Sequence, residues 1–230
     1  MNQQLILDIS PTPAQTLENF VVGANQEVLN ALEACAPGRA IYLYGPPGAG
    51  RTHLLKAMAL QWKAPFFDAT SRPLEIKRLA ETEHINTLLV AIDDVDKFST
   101  SAQAAVFALY NRWREVAATG RAFALLLSGR EPPIGVKVRE DLRTRLGWDL
   151  VFRLSLLSDE QRAEVMERRA DQRNLHLTPE VMNWVLNHYE RDMSRVIALI
   201  DALDHYSLTR KRHITLPLLR DLLAEGKLPT

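Results

Sequence analysis

Cysteine is nearly missing from this 230-residue sequence: Cys35 stands alone. That excludes an intrachain disulfide framework and a cysteine metal cluster. Net charge is missing too, since 28 Lys and Arg balance 28 Asp and Glu. A strongly basic nucleic-acid footprint is therefore absent, and strong direct DNA binding is not expected. No apolar run reaches the length of a membrane span, and the N-terminus lacks a charged segment followed by an apolar stretch. The expectation is a soluble, cytoplasmic protein with no membrane partner. The six histidines are scattered, without an HExxH pattern, and none is assigned to a metal. Internal repeats and low-complexity stretches are lacking as well.

What is present is apolar residue in quantity, 47% of the chain. That suffices for one sizeable core, or one core with a small satellite. Residues 1–16 read as an extended, mobile tail carrying the apolar patch Leu5-Ile6-Leu7-Asp8-Ile9. A helix is predicted from about Asn25 to Ala36, ended by Pro37-Gly38. Val28, Leu29, Leu32, Cys35 and Ala36 share its pattern, so Cys35 reads as a buried apolar thiol.

Buried strands are predicted at Ala40–Tyr44, Thr87–Asp94 and Ala122–Ser128, with shorter ones at Phe66–Ala69 and Asp149–Leu154. Helical patterns lie between them, near His53–Leu60, Leu74–Glu83 and residues 101–118. Strands alternating with helices give an α/β fold, a parallel sheet sandwiched by helices, over residues 17–156. The pattern then turns all-helical. Ser158-Asp159-Glu160-Gln161 is a capping box, and Thr178-Pro179-Glu180 is an N-cap with proline at the first helical position. Further helices are expected from Asp192 to about Arg210 and from Leu216 to Ala224. Residues 157–230 are thus expected to form a small all-α lid.

Gly45-Pro46-Pro47-Gly48-Ala49-Gly50-Arg51-Thr52 is a phosphate-binding loop with one letter changed: Arg51 stands where G-x-x-x-x-G-K-[S/T] has lysine. It follows a strand and precedes a helix, as such a loop must. Glycines let backbone N–H groups turn toward phosphate oxygens, and the helix points its positive end at the same anion. Arg51 keeps the charge but exchanges a compact ammonium for a wide planar fork. Binding should survive this better than γ-phosphate chemistry. Thr52 can offer a hydroxyl to Mg²⁺, and Asp93, ending its strand, is the expected metal-organising carboxylate. Asp94 can orient a water. Ser128 closes the next strand, where it is either a γ-phosphate sensor or a strand-end cap. Asp141–Trp148 reads as a basic turn in which Arg143 or Arg145 is an arginine finger or simply a solvated charge. Arg195 opens a lid helix and either faces the nucleotide or lies exposed.

Taken together, Phe20-Val21-Val22-Gly23-Ala24-Asn25, the phosphate loop, Leu89–Asp94, Leu127-Ser128, Leu142–Trp148 and Arg195 resemble the AAA+ P-loop NTPases, in particular the bacterial replication initiator (DnaA) branch. The resemblance covers residues 17 to about 225. It implies a nucleotide set of Val22, Asn25, Pro47, Gly48, Ala49, Gly50, Arg51, Thr52, His53 and Arg195, holding ADP or ATP with Mg²⁺. Three departures stand out. An initiator continues into a helix-turn-helix DNA-binding domain, for which no room is expected after Thr230; Arg51 replaces lysine; and Gly129 stands where the initiator tends to have an acidic residue.

Gln4, Leu5, Leu7 and Ile9 are similar to the Q-L-x-L-x-[L/F] peptides that dock in the bacterial sliding clamp, the β subunit of DNA polymerase III. A lone initiator-like module with such a peptide resembles the family of regulatory inactivators of the initiator. In that family an ADP-bound protein, tethered to the DNA-loaded clamp, presents a finger arginine in trans, here Arg145, and promotes hydrolysis of the initiator's ATP. Location at the replisome and nucleoid follows from that resemblance. The alternatives are a stand-alone AAA+ ATPase such as a helicase loader, using Asp94 catalytically, and a nucleotide-independent adaptor. A free finger needs an exposed edge, which a homodimer could hide.

Overall fold

A computed structural model describes residues 14–83, 85–189 and 193–225, apart from the Ser194 side chain. The described chain divides into two compact units between Leu156 and Leu157.

The first unit is a five-stranded sheet in the order β2-β3-β4-β1-β5, with β1 Ala40–Tyr44, β2 Phe66–Phe67, β3 Leu89–Ile92, β4 Ala124–Gly129 and β5 Leu150–Arg153. Every pairing is parallel. Helix α1 Gln26–Glu33 precedes the first strand, and the connections carry α2 Arg51–Trp62, α3 Pro73–Glu81, α4 Thr100–Val116 and α5 Glu140–Arg145. Both sheet faces are buried, and side chains alternate along each strand as the pleat requires. Ile41, Leu43, Leu89, Ala91 and Leu126 pack with Leu29, Leu32, Leu54, Leu55 and Met58 of α1 and α2. Tyr42, Val90, Ile92, Leu125 and Leu127 face the other way, onto Ile76, Val106, Leu109, Tyr110 and Trp113 of α3 and α4. Tyr44 pairs with Gly129, and Ile92 with Leu127. The carboxyl ends of β1, β3 and β4 therefore meet at one edge, where ligands of open parallel sheets bind.

Three expectations change. The strand at Phe66 stops after Phe67, because Asp68 accepts hydrogen bonds from the backbone and hydroxyl of Thr70 and holds a turn. The first helix ends at Glu33, so Cys35 lies beyond it and Ala36 is exposed. Cys35 is nevertheless buried, and burial pushes its thiol up to about 11, which makes it a poor nucleophile. The basic stretch at 141–148 is a turn only at its end: α5 runs through Arg145, with Leu142 and Leu146 buried, and a turn follows, closed by the Trp148 N–H on the Arg145 carbonyl at 3.0 Å.

The second unit holds α6 Asp159–Gln172, α7 Pro179–His188, α8 Met193–Arg210 and α9 Leu216–Ala224. Ser158 and Gln161 make the reciprocal capping box, and Thr178 caps α7. Met166, Val181, Leu199, Ile200, Leu203 and Leu218 lie in its core. Beside that core an ionic chain staples α6 to α8. Arg169 reaches both oxygens of Asp201 at 2.9 and 2.6 Å, while Arg173 reaches Asp201 at 2.8 Å and Asp204 at 3.1 Å. Asp201→Ala leaves the buried Arg169 guanidinium without its carboxylate and Arg173 with Asp204 alone, so it should cost about 3 kcal/mol or more in chemical denaturation of the full chain. A cost below about 1 kcal/mol would mean that the network is ornamental.

Candidate nucleotide site and its arginines

The loop between β1 and α2 begins the site. Ala49 N–H closes a turn on the Pro46 carbonyl at 3.2 Å, leaving Pro47 and Gly48 at its tip. Gly50, the residue before α2, has φ +93°, and a Cβ there would lie 2.6 Å from the Phe20 ring. Only glycine meets both conditions. The first N–H groups of α2, from Arg51 to His53, have no acceptor inside the helix, an arrangement suited to an anion. Segment 16–20 packs on this first turn. Phe20 meets the His53 ring at 5.4 Å, and His53 Nε2–H donates to the Thr16 carbonyl at 2.8 Å. Burial lowers the His53 pKa from its ordinary value, against the bond to the Thr16 carbonyl, which raises it. Asn25 has both ends of its amide engaged by Ser155, at 2.8 and 3.1 Å, and its own N–H bonds the Val22 carbonyl at 2.9 Å. Its side chain ties the start of α1 to the segment after β5.

Asp93 stands at the end of β3. Thr52 Oγ1 donates to one carboxylate oxygen at 2.6 Å and Ser128 Oγ to the other at 2.5 Å. The Asp94 N–H donates in turn to Ser128 Oγ at 2.8 Å. The expected metal pair, Thr52 and Asp93, is therefore assembled, with Ser128 bridging β4 to β3. Burial raises the Asp93 pKa against the two hydroxyls, which lower it. Among the described residues there is no cluster of three or more His, Cys, Asp or Glu able to hold a metal alone. This chemistry suits a cation shared with phosphate oxygens.

Asp94 adopts φ +51° and is buried. Its carboxylate pairs with Arg51 Nη2 at 3.0 Å and Lys97 Nζ at 2.6 Å. The residue expected to orient a water is thus held by two cations. Arg51 Nη1 is buried with no hydrogen-bond partner among the described residues. A buried N–H costs free energy until something accepts from it, and a phosphate in the glycine loop would. The residues present fit a nucleotide by that test.

Arg145 ends α5. Its guanidinium lies 3.7 Å from the Trp148 ring centroid and 5.5 Å from that of Phe107. Arg143 instead leans toward Glu140 at 3.8 Å. Arg195 belongs to the second unit and is exposed on α8. Gln4, Leu5, Leu7 and Ile9 lie outside the described residues. Lys97 and Arg114 were not expected. Lys97 carried a weak signal, three residues after Asp94; Arg114 carried none, because its partner Trp148 is remote in sequence. Gly129 has a steric reason: a Cβ there would fall 2.2 Å from the Tyr42 hydroxyl. That hydroxyl donates to the Glu131 carbonyl at 2.8 Å. Among the described residues no helix is long and apolar enough to cross a membrane.

The fold and site define an AAA+ module with a helical lid, and comparison with known proteins agrees. Residues 41–147 match the family described as "ATPase family associated with various cellular activities (AAA)", and residues 159–223 match "Hda, lid domain". A Haemophilus influenzae protein described as uncharacterized is 31% identical over 233 residues, covering 97% of this chain and 99% of its own. Domain III of Thermotoga maritima replication initiation protein DnaA superposes with a TM-score of 0.75 at 22% identity, covering 95% of this chain and all of that one. AMPPCP-bound DnaA from Aquifex aeolicus gives 0.62 at 25% identity, over 87% of this chain and 69% of that one. The chain belongs to the DnaA-like AAA+ proteins and is related to Hda.

The Asp93 environment has a pH consequence. A carboxyl whose pKa is raised by folding carries no penalty below its ordinary value, about 3.9, and a growing one as pH rises through the folded value. Without nucleotide, Asp93→Asn should melt higher than the parent at about pH 8, with the gap closing toward about pH 4. A variant that melts lower at the alkaline end would mean that the two hydroxyl bonds outweigh burial.

Proposed function

We propose that this protein regulates replication by acting on the ATP of the related initiator DnaA. It holds ADP in its own site, is tethered to the DNA-loaded sliding clamp through Gln4, Leu5, Leu7 and Ile9, and presents Arg145 in trans to initiator-bound ATP. The outcome is negative control of replication initiation by a cytoplasmic, replisome-associated protein.

The observation that carries this reading is the Arg51–Asp94 ion pair at 3.0 Å. A turnover site needs a compact cation on the β- and γ-phosphates and a carboxylate free to orient water. Here the cation is a broad fork and the carboxylate is neutralised by Arg51 and Lys97. A nucleotide in this site acts as a structural ligand, stabilising the folded form by mass action. Val22 and the loop from Pro47 to His53 would hold it, with Asn25 bracing the frame. Mg²⁺, on Thr52 and Asp93, would neutralise phosphate charge.

On the partner, a water oxygen attacks the γ-phosphorus as the bond to the β-bridging oxygen breaks. ADP leaves with that electron pair, and the water proton passes to phosphate or solvent. Arg145 supplies positive charge to oxygens that gain negative charge on the way, a contribution on the order of 10³–10⁵ in rate for fingers of this kind. Arg145→Ala should therefore abolish stimulation of initiator ATP hydrolysis, assayed with clamp on DNA, while clamp association stays intact. Undiminished stimulation would remove Arg145 from the mechanism.

A further inference from the structure

Six arginines of the first unit, Arg39, Arg51, Arg112, Arg130, Arg139 and Arg143, each have an acidic partner. Arg145 and Arg114 have an aromatic one instead. Among the described residues neither makes an ion pair, and both lie over the Trp148 indole, at 3.7 and 4.8 Å from its centroid. The indole remains 43% exposed, with Tyr110 edge-on to it at 6.2 Å. Arg145 Nε is buried without a hydrogen-bond partner. Two like charges gathered on one ring repel each other, and among the described residues no ion pair offsets them. Such an arrangement persists at the cost of that repulsion and favours any anion brought to it.

We propose that Trp148 is a positioning residue for Arg145, whose indole face orders the guanidinium without neutralising it. This rests on the reading of Arg145 as the finger. A carboxylate would order the side chain equally well but would cancel the charge that the partner's phosphates need. The ring quadrupole attracts the cation through its face and leaves the N–H edge of the fork open for oxygens. Ordering in advance also spares the rotamer freedom that a long side chain would otherwise lose during the reaction. Phe107 at 5.5 Å adds a second aromatic neighbour, and buried Leu142 and Leu146 fix the end of α5 to the core. Arg143, already leaning on Glu140, has no such platform.

The test uses the full chain with clamp on DNA and ATP-bound initiator, comparing Trp148→Phe, Trp148→Leu and Arg145→Ala after melting curves confirm folding. Trp148→Leu keeps apolar bulk but removes the π face. It should lower the maximal stimulated rate roughly tenfold while half-saturation in this protein changes little. Trp148→Phe should recover most of that loss. A purely structural role would treat Leu and Phe alike, and a docking role would move half-saturation instead. Leu and Phe variants of equal rate, with Arg145→Ala inactive, overturn the positioning role alone. Full stimulation by Arg145→Ala overturns the finger reading and this inference with it.

Discussion

The parallel register of the central strands is the constraint on which the site depends. Because β1 lies between β4 and β5, and β4 lies beside β3, three chain segments end at one edge: the loop from Gly45, the acids at Asp93 and Asp94, and Ser128. A one-residue slip of β3 would turn its side chains to the opposite face. The short bonds from Thr52 and Ser128 to Asp93 would then be lost. Tyr42 and Gly129 show the same constraint from the other side: a tyrosine on β1 leaves no room for a Cβ at the end of β4.

On this frame two arginines are held in opposite ways. Arg51 is buried and ion-paired with a carboxylate inside the protein. Arg145 rests on an indole, which orders it and leaves its charge available. An enzyme that hydrolyses its own nucleotide would need the reverse at position 51. The pairing of an ion-paired internal arginine with one left charged on an indole is the physical basis for the proposal that the chemistry occurs on a partner.

The sequence made the frame legible where local physics decides. The apolar run at 40–44, the glycines after it and the helical spacing from Leu54 to Met58 fix strand, loop and helix, and the capping box at Ser158 fixes the start of α6. Asp93 was readable because it ends a continuous apolar strand. The stretch from Asp141 to Trp148 was not: only Leu142 and Leu146 are buried, too few to show a helical period, and α5 emerges from packing. The Asp94–Arg51 pair, the Asn25–Ser155 amide bonds and the Arg114–Trp148 stack join segments remote in sequence, and no spacing rule encodes them. Asp68 looked like strand because two phenylalanines precede it, but its carboxylate prefers to close a turn on Thr70.

The claim that one subunit holds nucleotide while another turns it over is tested most directly by tracing the phosphate. This protein is loaded with ATP carrying one γ-phosphate isotope and the initiator with ATP carrying another, and a single turnover is followed with clamp on DNA. The account predicts that released phosphate carries the initiator's isotope, while the nucleotide on this chain stays intact over the same interval. Phosphate carrying this chain's isotope, released at a comparable rate, would contradict it.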